Sequence, residues 1–235
     1  MNDNNIFVLI HSPLVGAFTW AYVADDMRQR GLDVIVPVLD DSPDSEEPYW
    51  KQHARSISLA LANVARDRSV ILVAHSGAGP ILPVLREALE NPVRAYVFVD
   101  AGIPQGDVTR LDQMKSEGSD WAREFEAYLV GGGRFPNWSS EDLREIIPDE
   151  AVREQLVADL RPRALDFFTE PIPVFDGWPD APCVYVLFSP PYQRAAVQAR
   201  QNGWPTYEIE AGHFHMLVDA KAVTDLIVEA VNGLD

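Results

Sequence analysis

The chain has 235 residues, enough for one domain with a sizeable core or two small ones, so neither disulfides nor metals are needed to hold it together. Its formal charge of −17 repels phosphate backbones and anionic lipids, which disfavours nucleic-acid and membrane binding. No stretch approaches the ~20 apolar residues of a membrane helix, no basic region precedes the first apolar run, and a single cysteine fits a reducing compartment. We therefore expect a cytoplasmic protein.

Six short apolar runs predict β-strands. They are nearly continuous in Val, Ile, Leu, Phe and Tyr, as expected of strands that are covered on both faces of a parallel sheet. The runs are Ile6–Ile10, Asp33–Val38, Val70–Ala74, Ala95–Val99, Cys183–Phe188 and Thr206–Ile209.

Segments with the helical period separate most of these runs. Apolar residues at helical spacing mark four of them, around Trp20–Met27, Ile57–Val64, Ile81–Leu89 and Val223–Val231. Strands that alternate with helices imply right-handed crossovers. We therefore predict the α/β class, with a doubly wound, mostly parallel sheet of about six strands.

One long section, residues 105–181, interrupts this alternation. It has no strong strand signal but contains the helical patterns SSEDLREII and DEAVREQLVADL, the first opened by Ser139 or Ser140 as N-cap. Several of the chain's aromatic residues also lie here. They fit either a cap over a pocket or a helical excursion with its own local core. We predict a core formed by residues 1–104 and 182–235 and a helical cap insertion at 105–181.

The stretch VAHSGAG predicts a nucleophilic serine. It follows the third predicted strand and opens a helix, and Ser76 stands between small residues, Ala74 and Ala78, as a strained strand-to-helix turn requires. Such a turn would put the Ser76 hydroxyl at a helix N-terminus, where N–H groups favour a developing oxyanion. A dinucleotide-binding turn would need a small residue at Leu82 and would fall on the first strand, so we discount it.

A general base for Ser76 is available late in the chain. The stretch EIEAGHFHML places His213 directly after the last predicted strand, and strand ends of a parallel sheet share one edge. His215 lies two residues further on; the preceding glycine and the strand-end position favour His213. We expect His213 to accept the Ser76 proton.

The acid that orients the histidine should fall between Ser76 and His213. Asp100 ends the fourth predicted strand, whereas the loop after the fifth, LFSPPYQ, has no carboxylate. We therefore expect Asp100 to orient His213. The alternative is that Asp100 only caps a turn, and that the acid is missing or is Asp176 or Asp180.

At these motifs the chain resembles the α/β-hydrolase superfamily, and in particular its small esterase and hydroxynitrile-lyase branch. The matching stretches are VLIHSP, VAHSGAG, FVDAGIP and AGHFHML, and the similarity extends over nearly the whole chain. The resemblance implies a helical cap before the penultimate strand and no cofactor. It also implies that Asp100 occupies an acid site used by a minority of members, since most place the acid one strand later, where this chain has Pro190, Pro191 and Tyr192.

The resemblance also implies a departure at the oxyanion hole. The family has His-Gly-X after its first strand, and the N–H of X donates to the oxyanion, but residues 11–13 here are His-Ser-Pro. Pro13 has no N–H. Gly77 N–H, next to the nucleophile, remains as a donor, and the N–H of Leu14 or Val15 would replace the other if it turned inward; we predict Gly77 and Leu14.

These residues predict a serine hydrolase that cleaves a small or medium carboxylic ester, thioester or lactone through Ser76, His213 and Asp100. The missing Pro13 N–H leaves open a second enzyme class, a lyase, cyclase or epimerase with His213 as base. A binding protein that keeps the fold without turnover is a third possibility, although it would need neither Ser76 nor His213. We predict a small-molecule substrate and no cofactor or metal, because no Cys/His cluster has ligand spacing.

Overall fold

A six-stranded parallel sheet forms the centre of the molecule. The structure, a computed structural model, describes residues 5–116 and 120–234. Its strands are β1 (Asn5–Ile10), β2 (Asp33–Ile35), β3 (Ser69–His75), β4 (Val93–Val99), β7 (Cys183–Leu187) and β8 (Thr206–Glu208). Two further short strands, β5 (Val108–Thr109) and β6 (Pro171–Ile172), lie outside this sheet. The order in the sheet is β2-β1-β3-β4-β7-β8, with every pairing parallel. All six predicted strands and the parallel sheet are confirmed.

Helices connect the strands on both sides of the sheet. They are α1 (Ala21–Gln29), α2 (Tyr49–Leu61), α3 (Leu82–Glu87), α4 (Arg110–Ser116), α5 (Asp120–Val130), α6 (Glu150–Ala158), α7 (Leu165–Thr169), α8 (Gln193–Gln201) and α9 (Ala220–Asn232). Short 3-10 helices span Ala17–Trp20, Ser76–Ala78, Pro190–Tyr192 and His215–Leu217. The four helices predicted from apolar spacing correspond to α1, α2, α3 and α9.

The hydrophobic core has two layers, one on each face of the sheet. Alternate side chains of β1 point to opposite faces, so Val8 belongs to the core layer that contains α2, α3 and α8, while Leu9 belongs to the layer that contains α1 and α9. This double burial explains why the strands read as continuous apolar runs. Since all six strands are parallel, their carboxyl ends meet along one edge, and the residues after β3, β4 and β8 meet there.

The insertion, residues 105–181, contributes α4 to α7 and a small antiparallel ribbon of β5 and β6. Its aromatic side chains do two things: some form a local cluster around Phe125, Phe167 and Phe168, and several line a cavity above the sheet edge. The two-domain division stays a prediction, and its outer ends at residues 1 and 235 lie outside the described residues.

One predicted helix is wrong. DEAVREQLVADL forms α6 with Asp149 as N-cap, but SSEDLREII does not form a helix, and residues 140–146 form a series of turns. Ser139 and Asp142 do exchange the hydrogen bonds of a capping turn, which is the local signal that suggested a helix. Pro148 stops the segment after two turns, too early for a helix to propagate.

The described residues contain no helix that is both long and apolar enough to cross a membrane. The cytoplasmic location stays a prediction. The same holds for the expected lack of nucleic-acid and membrane partners.

Candidate active site

Ser76 lies on a sharp turn between β3 and the helix that follows. Its φ is +57°, a left-handed conformation that is strained for a residue with a side chain. The turn is possible because its surroundings are small: a Cβ on Gly79 would lie 2.0 Å from the Gly102 carbonyl oxygen. The close approach at Gly79 packs the turn against the loop that follows β4, which carries Asp100.

Asp100 and His213 are joined by a short hydrogen bond. His213 Nδ1 lies 2.7 Å from Asp100 Oδ2, and because a carboxylate only accepts, this ring nitrogen carries the hydrogen. That tautomer leaves the Nε2 lone pair available to take a proton. The alternatives are placed elsewhere: Asp180 accepts from Tyr96 and Arg86, and Asp176 is exposed.

The Asp100 carboxylate is fully buried and surrounded by donors. Its Oδ1 accepts the N–H groups of Phe188 and Ser189, both at 2.9 Å, and its Oδ2 accepts the Ser189 hydroxyl at 2.5 Å. With His213, four donors therefore fix both oxygens, as a buried charge requires. Ser189 is a supporting residue that the sequence analysis did not identify.

The hydroxyl of Ser76 is hydrogen-bonded to a residue that the sequence analysis also missed. Ser76 Oγ lies 2.9 Å from Tyr192 Oη, and the Tyr192 ring stacks on the His213 imidazole with centroids 4.9 Å apart and planes 7° apart. Among the hydrogen bonds of the described residues, none joins Ser76 Oγ to the His213 ring. The serine and histidine therefore share one site, in which Tyr192 is hydrogen-bonded to the serine and stacked on the histidine.

The loop after β1 approaches Gly77, the residue after the serine. A Cβ on Gly77 would lie 3.0 Å from Ser12 Oγ and 3.6 Å from Pro13 Cδ, so the loop is packed against this position. Leu14 N–H, the predicted second oxyanion donor, is directed at Ser12 Oγ at 3.3 Å. To donate to an oxyanion, the Leu14 N–H would first have to break its hydrogen bond with Ser12 Oγ.

A second histidine, His75, contacts both the backbone and the ring of His213. His75 Nε2 donates to the His213 carbonyl oxygen at 3.0 Å, and the two rings lie 4.4 Å apart. Burial holds the His75 pKa well below its usual value, and the neighbouring His213 lowers it further, so His75 is neutral. It therefore positions the His213 backbone without adding a charge.

A cavity of about 460 Å³ opens above these residues. Ser76, His213 and Tyr192 line it together with aromatic and aliphatic side chains from the insertion, including Phe135, Trp138, Leu143, Ile146, Phe167 and Phe168. The buried guanidinium of Arg110 also lines it, and its charge is paired with Glu170 at 2.8 Å. The cavity wall is therefore mostly apolar, and its polar side chains are those of Ser76, Tyr192, His213, Arg110, Gln113 and Asp142.

No three His, Cys, Asp or Glu side chains within the described part of the chain are grouped as metal ligands would be. Cys183 is buried, and burial raises the pKa of its thiol to about 12, so it is not a thiolate nucleophile.

The chain is similar to known proteins along most of its length. Methylesterase 8 of Arabidopsis thaliana is 24% identical over 140 residues, which are 55% of this chain and 52% of that protein. The chain thus matches about half the length of this curated relative.

Among solved structures, an extracellular α/β-hydrolase from a Paenibacillus species superposes with a TM-score of 0.77 at 18% identity, covering 96% of this chain and 98% of that one. Tomato methylketone synthase I, complexed with 2-tridecanone, gives a TM-score of 0.72 at 16% identity over 99% of both chains. At these identities the structures show a shared fold. The model of the alpha/beta hydrolase family matches residues 7–226, and this chain therefore belongs to that family.

Proposed function

We propose that this protein is a serine hydrolase that cleaves a small or medium carboxylic ester, thioester or lactone. The observation that carries the proposal is the shared cavity: Ser76, strained at φ +57°, and His213, held by Asp100 at 2.7 Å, both line it. Backbone strain and a buried acid–histidine pair are costly to maintain, and both have a purpose in acyl transfer. The methylesterase relatives support the same class of reaction.

The proposed reaction proceeds in two steps. The Ser76 hydroxyl turns from Tyr192 towards His213, Oγ bonds to the substrate carbonyl carbon, and the Ser76 proton passes to His213 Nε2. The bond to the leaving oxygen or sulfur then breaks, and that atom takes the proton from His213. Water then attacks the acyl-enzyme and gives a proton to His213. His213 returns this proton to Ser76 Oγ as the carboxylic acid leaves.

Asp100 and Gly77 have supporting roles in this scheme. Asp100 stabilises the His213 imidazolium that forms during each step, because its carboxylate contacts Nδ1. Gly77 N–H donates to the developing oxyanion at the start of the helix, and Leu14 N–H joins it if it leaves Ser12 Oγ.

The cavity indicates an uncharged, largely apolar substrate. Its volume of about 460 Å³ fits a small molecule, and most of its wall is aromatic or aliphatic. Its buried cation, Arg110, is already paired with Glu170, so a substrate carboxylate would find no uncompensated positive charge there.

Pro13 favours a second candidate, a lyase, cyclase or epimerase that uses His213 as base. Proline supplies no N–H beside Gly77, and losing one oxyanion donor typically costs about 10²- to 10³-fold in the rate of acyl transfer. A reaction without a tetrahedral oxyanion would not suffer this loss. One of the structurally similar proteins is named as a methylketone synthase, which is compatible with this alternative.

Covalent labelling separates the two candidates. A fluorophosphonate probe should label Ser76 in the wild-type protein, and p-nitrophenyl butyrate should be hydrolysed. Ser76→Ala should lose the labelling and the turnover, because it removes the proposed nucleophile. Peptide mapping of the labelled protein identifies the residue.

Asp100→Asn tests the acid in the same assay, with a turnover loss of about 10⁴-fold expected because the imidazolium loses its counter-charge. His215→Gln is the matched control and should retain turnover, since His215 is outside the cavity lining. A wild-type protein that neither labels nor hydrolyses activated esters would contradict the hydrolase proposal and favour the non-hydrolytic one. A loss below tenfold in Asp100→Asn would remove Asp100 from the mechanism.

A further inference from the structure

Tyr192 contacts the proposed nucleophile and stacks on the proposed base. Its hydroxyl lies 2.9 Å from Ser76 Oγ, its ring is nearly parallel to the His213 imidazole, and the side chain lines the cavity. We infer that Tyr192 is a catalytic residue whose hydroxyl donates a hydrogen bond to the departing oxygen of the substrate alcohol. The inference rests on the hydrolase function proposed above.

The position of Tyr192 is held by the same loop that holds the acid. Tyr192 N–H donates to the Ser189 carbonyl oxygen at 3.1 Å, and Ser189 in turn donates through its N–H and its hydroxyl to Asp100. Two prolines, Pro190 and Pro191, restrict the backbone just before Tyr192. The hydroxyl is therefore preorganised, as a group that acts on a transition state must be.

The stacking on His213 indicates which oxygen Tyr192 serves. In the tetrahedral intermediate one carbon carries Ser76 Oγ, the oxyanion and the leaving oxygen. Gly77 N–H faces the oxyanion, whereas the leaving oxygen turns towards His213, because that histidine must protonate it. Tyr192 lies against the His213 ring, on this second side, and a hydroxyl within 2.9 Å of Oγ is within reach of another oxygen on the same carbon.

The proton balance leaves the Tyr192 hydroxyl unchanged. A phenol hydroxyl has one hydrogen that it can donate to an acceptor, and the leaving oxygen is such an acceptor. As the carbon–oxygen bond breaks, the electron pair stays on the leaving oxygen, which takes the proton of His213 Nε2. Tyr192 stabilises the negative charge on that oxygen before the transfer is complete, and it neither gains nor loses a proton overall.

A leaving-group series with Tyr192→Phe tests the inference. The substitution removes the hydroxyl and keeps the stacked ring. We expect kcat/KM for ethyl butyrate to fall about 10- to 100-fold, because a poor leaving group develops the most charge and a hydrogen bond to a charged group is among the stronger ones. For p-nitrophenyl butyrate, which shares the acyl group but leaves easily, we expect a fall below about threefold. kcat/KM reports acylation in both cases, so slow deacylation does not mask the difference.

Two measurements separate this inference from its alternatives. The fluorophosphonate should label Tyr192→Phe at close to the wild-type rate, because fluoride leaves without assistance, and Tyr22→Phe, at a half-exposed position on α1, should behave as wild type throughout. An equal loss for both esters would assign the hydroxyl to the oxyanion or to the folding of the loop, and an unchanged series would show that it has no role; either result overturns the inference. Failure of the wild-type protein to label would instead reject the underlying hydrolase function.

Discussion

At the scale of single residues, Pro13 gives this site its most unusual feature. Its Cδ, which replaces an amide hydrogen, lies 3.6 Å from where a Cβ on Gly77 would be. Its carbonyl oxygen accepts hydrogen bonds from Arg163 Nε and Nη2, at 3.3 and 3.1 Å, so the backbone is held in this orientation. Pro13 Cδ therefore packs beside Gly77, at the position where the N–H of another residue would act as the second oxyanion donor.

Pro13→Ala should increase the hydrolase activity. The substitution replaces Cδ by an N–H hydrogen, and alanine accepts the φ of proline while the contact of the carbonyl with Arg163 is retained. If this N–H reaches the oxyanion, kcat for p-nitrophenyl butyrate should rise by about 10- to 100-fold, within the range that one such donor contributes. Steady-state kinetics measures the change, and KM should stay similar because the donor acts mainly in the transition state.

Pro43→Ala, at an exposed position, controls for the loss of a proline ring and should leave the kinetics unchanged. A Pro13→Ala variant with wild-type stability and no gain in kcat would show that the proline does not limit oxyanion binding.

The chemistry-bearing residues were more predictable than their hydrogen bonds. Ser76, Asp100 and His213 follow strand ends, and parallel strand ends must converge. The direction of the Ser76 hydroxyl and of Leu14 N–H depends on rotamers and loop backbone, which the order of residues does not specify. A catalytic triad predicts a carboxylate in the loop after β7, not a tyrosine, so the position of Tyr192 in a loop at that edge is the signal that the sequence offers.

At the scale of elements, the insertion is attached to the core by a buried ionic cluster. Arg163 follows α6, and its guanidinium forms two hydrogen bonds with both carboxylate oxygens of Asp41, in the loop after β2. His53 on α2 contacts the same carboxylate at 2.8 Å. Burial alone would raise the Asp41 pKa, but the hydrogen bonds from His53 and Arg163 outweigh it and lower the pKa to about 2. Asp41 is therefore ionised and depends on both partners.

Breaking this cluster from one side should destabilise the protein strongly. Arg163→Met leaves the Asp41 carboxylate buried without its cation, and we expect the free energy of unfolding to fall by about 3–5 kcal/mol. Asp41→Asn in the Arg163→Met background removes the uncompensated charge, so the double variant should be more stable than Arg163→Met alone. Urea unfolding of the four proteins gives a double-mutant cycle. Effects that add within about 0.5 kcal/mol would show that the pair is not coupled.

Such long-range contacts limit what the order of elements could predict. The central strands β1, β3, β4 and β7 are evident because each is buried on both faces, and α1, α2, α3 and α9 because each packs one apolar stripe on the sheet. The two-residue strands β5 and β6 have no pattern of their own and pair only because the insertion brings them together. Arg163 and Asp41 are 122 positions apart, and nothing local to either indicates the other.

At the scale of the whole molecule, three fully buried histidines, His11, His53 and His75, are neutral. Burial is the main cause in each case, and it lowers the His11 pKa from the usual 6.5 to about 4. Both ring nitrogens of His11 are used in the neutral form: Nδ1 donates to the Ser12 carbonyl oxygen at 2.8 Å, and Nε2 accepts Leu39 N–H at 3.1 Å. Protonation of His11 would place a hydrogen on Nε2, which would then face the N–H group of Leu39.

We therefore expect stability to fall on mild acidification. Between pH 6.5 and about 4 the unfolded chain binds a proton at His11 that the folded protein does not, so the free energy of unfolding decreases as the pH falls, by about 3 kcal/mol from this residue alone. The many carboxylates mostly take up protons below pH 5, so relief of the repulsion within a chain of formal charge −17 does not compensate between pH 6.5 and 5.

His11→Gln should isolate this contribution. Glutamine does not titrate, so the variant is less stable at pH 7 but its free energy of unfolding in urea should depend less on pH, by about 1 kcal/mol per pH unit between 6 and 5. Ser76→Ala, which also changes a buried polar residue but removes no titrating group, should retain the wild-type slope. Parallel curves for His11→Gln and the wild type would contradict the argument, because a proton excluded from the folded state at His11 must appear in that slope.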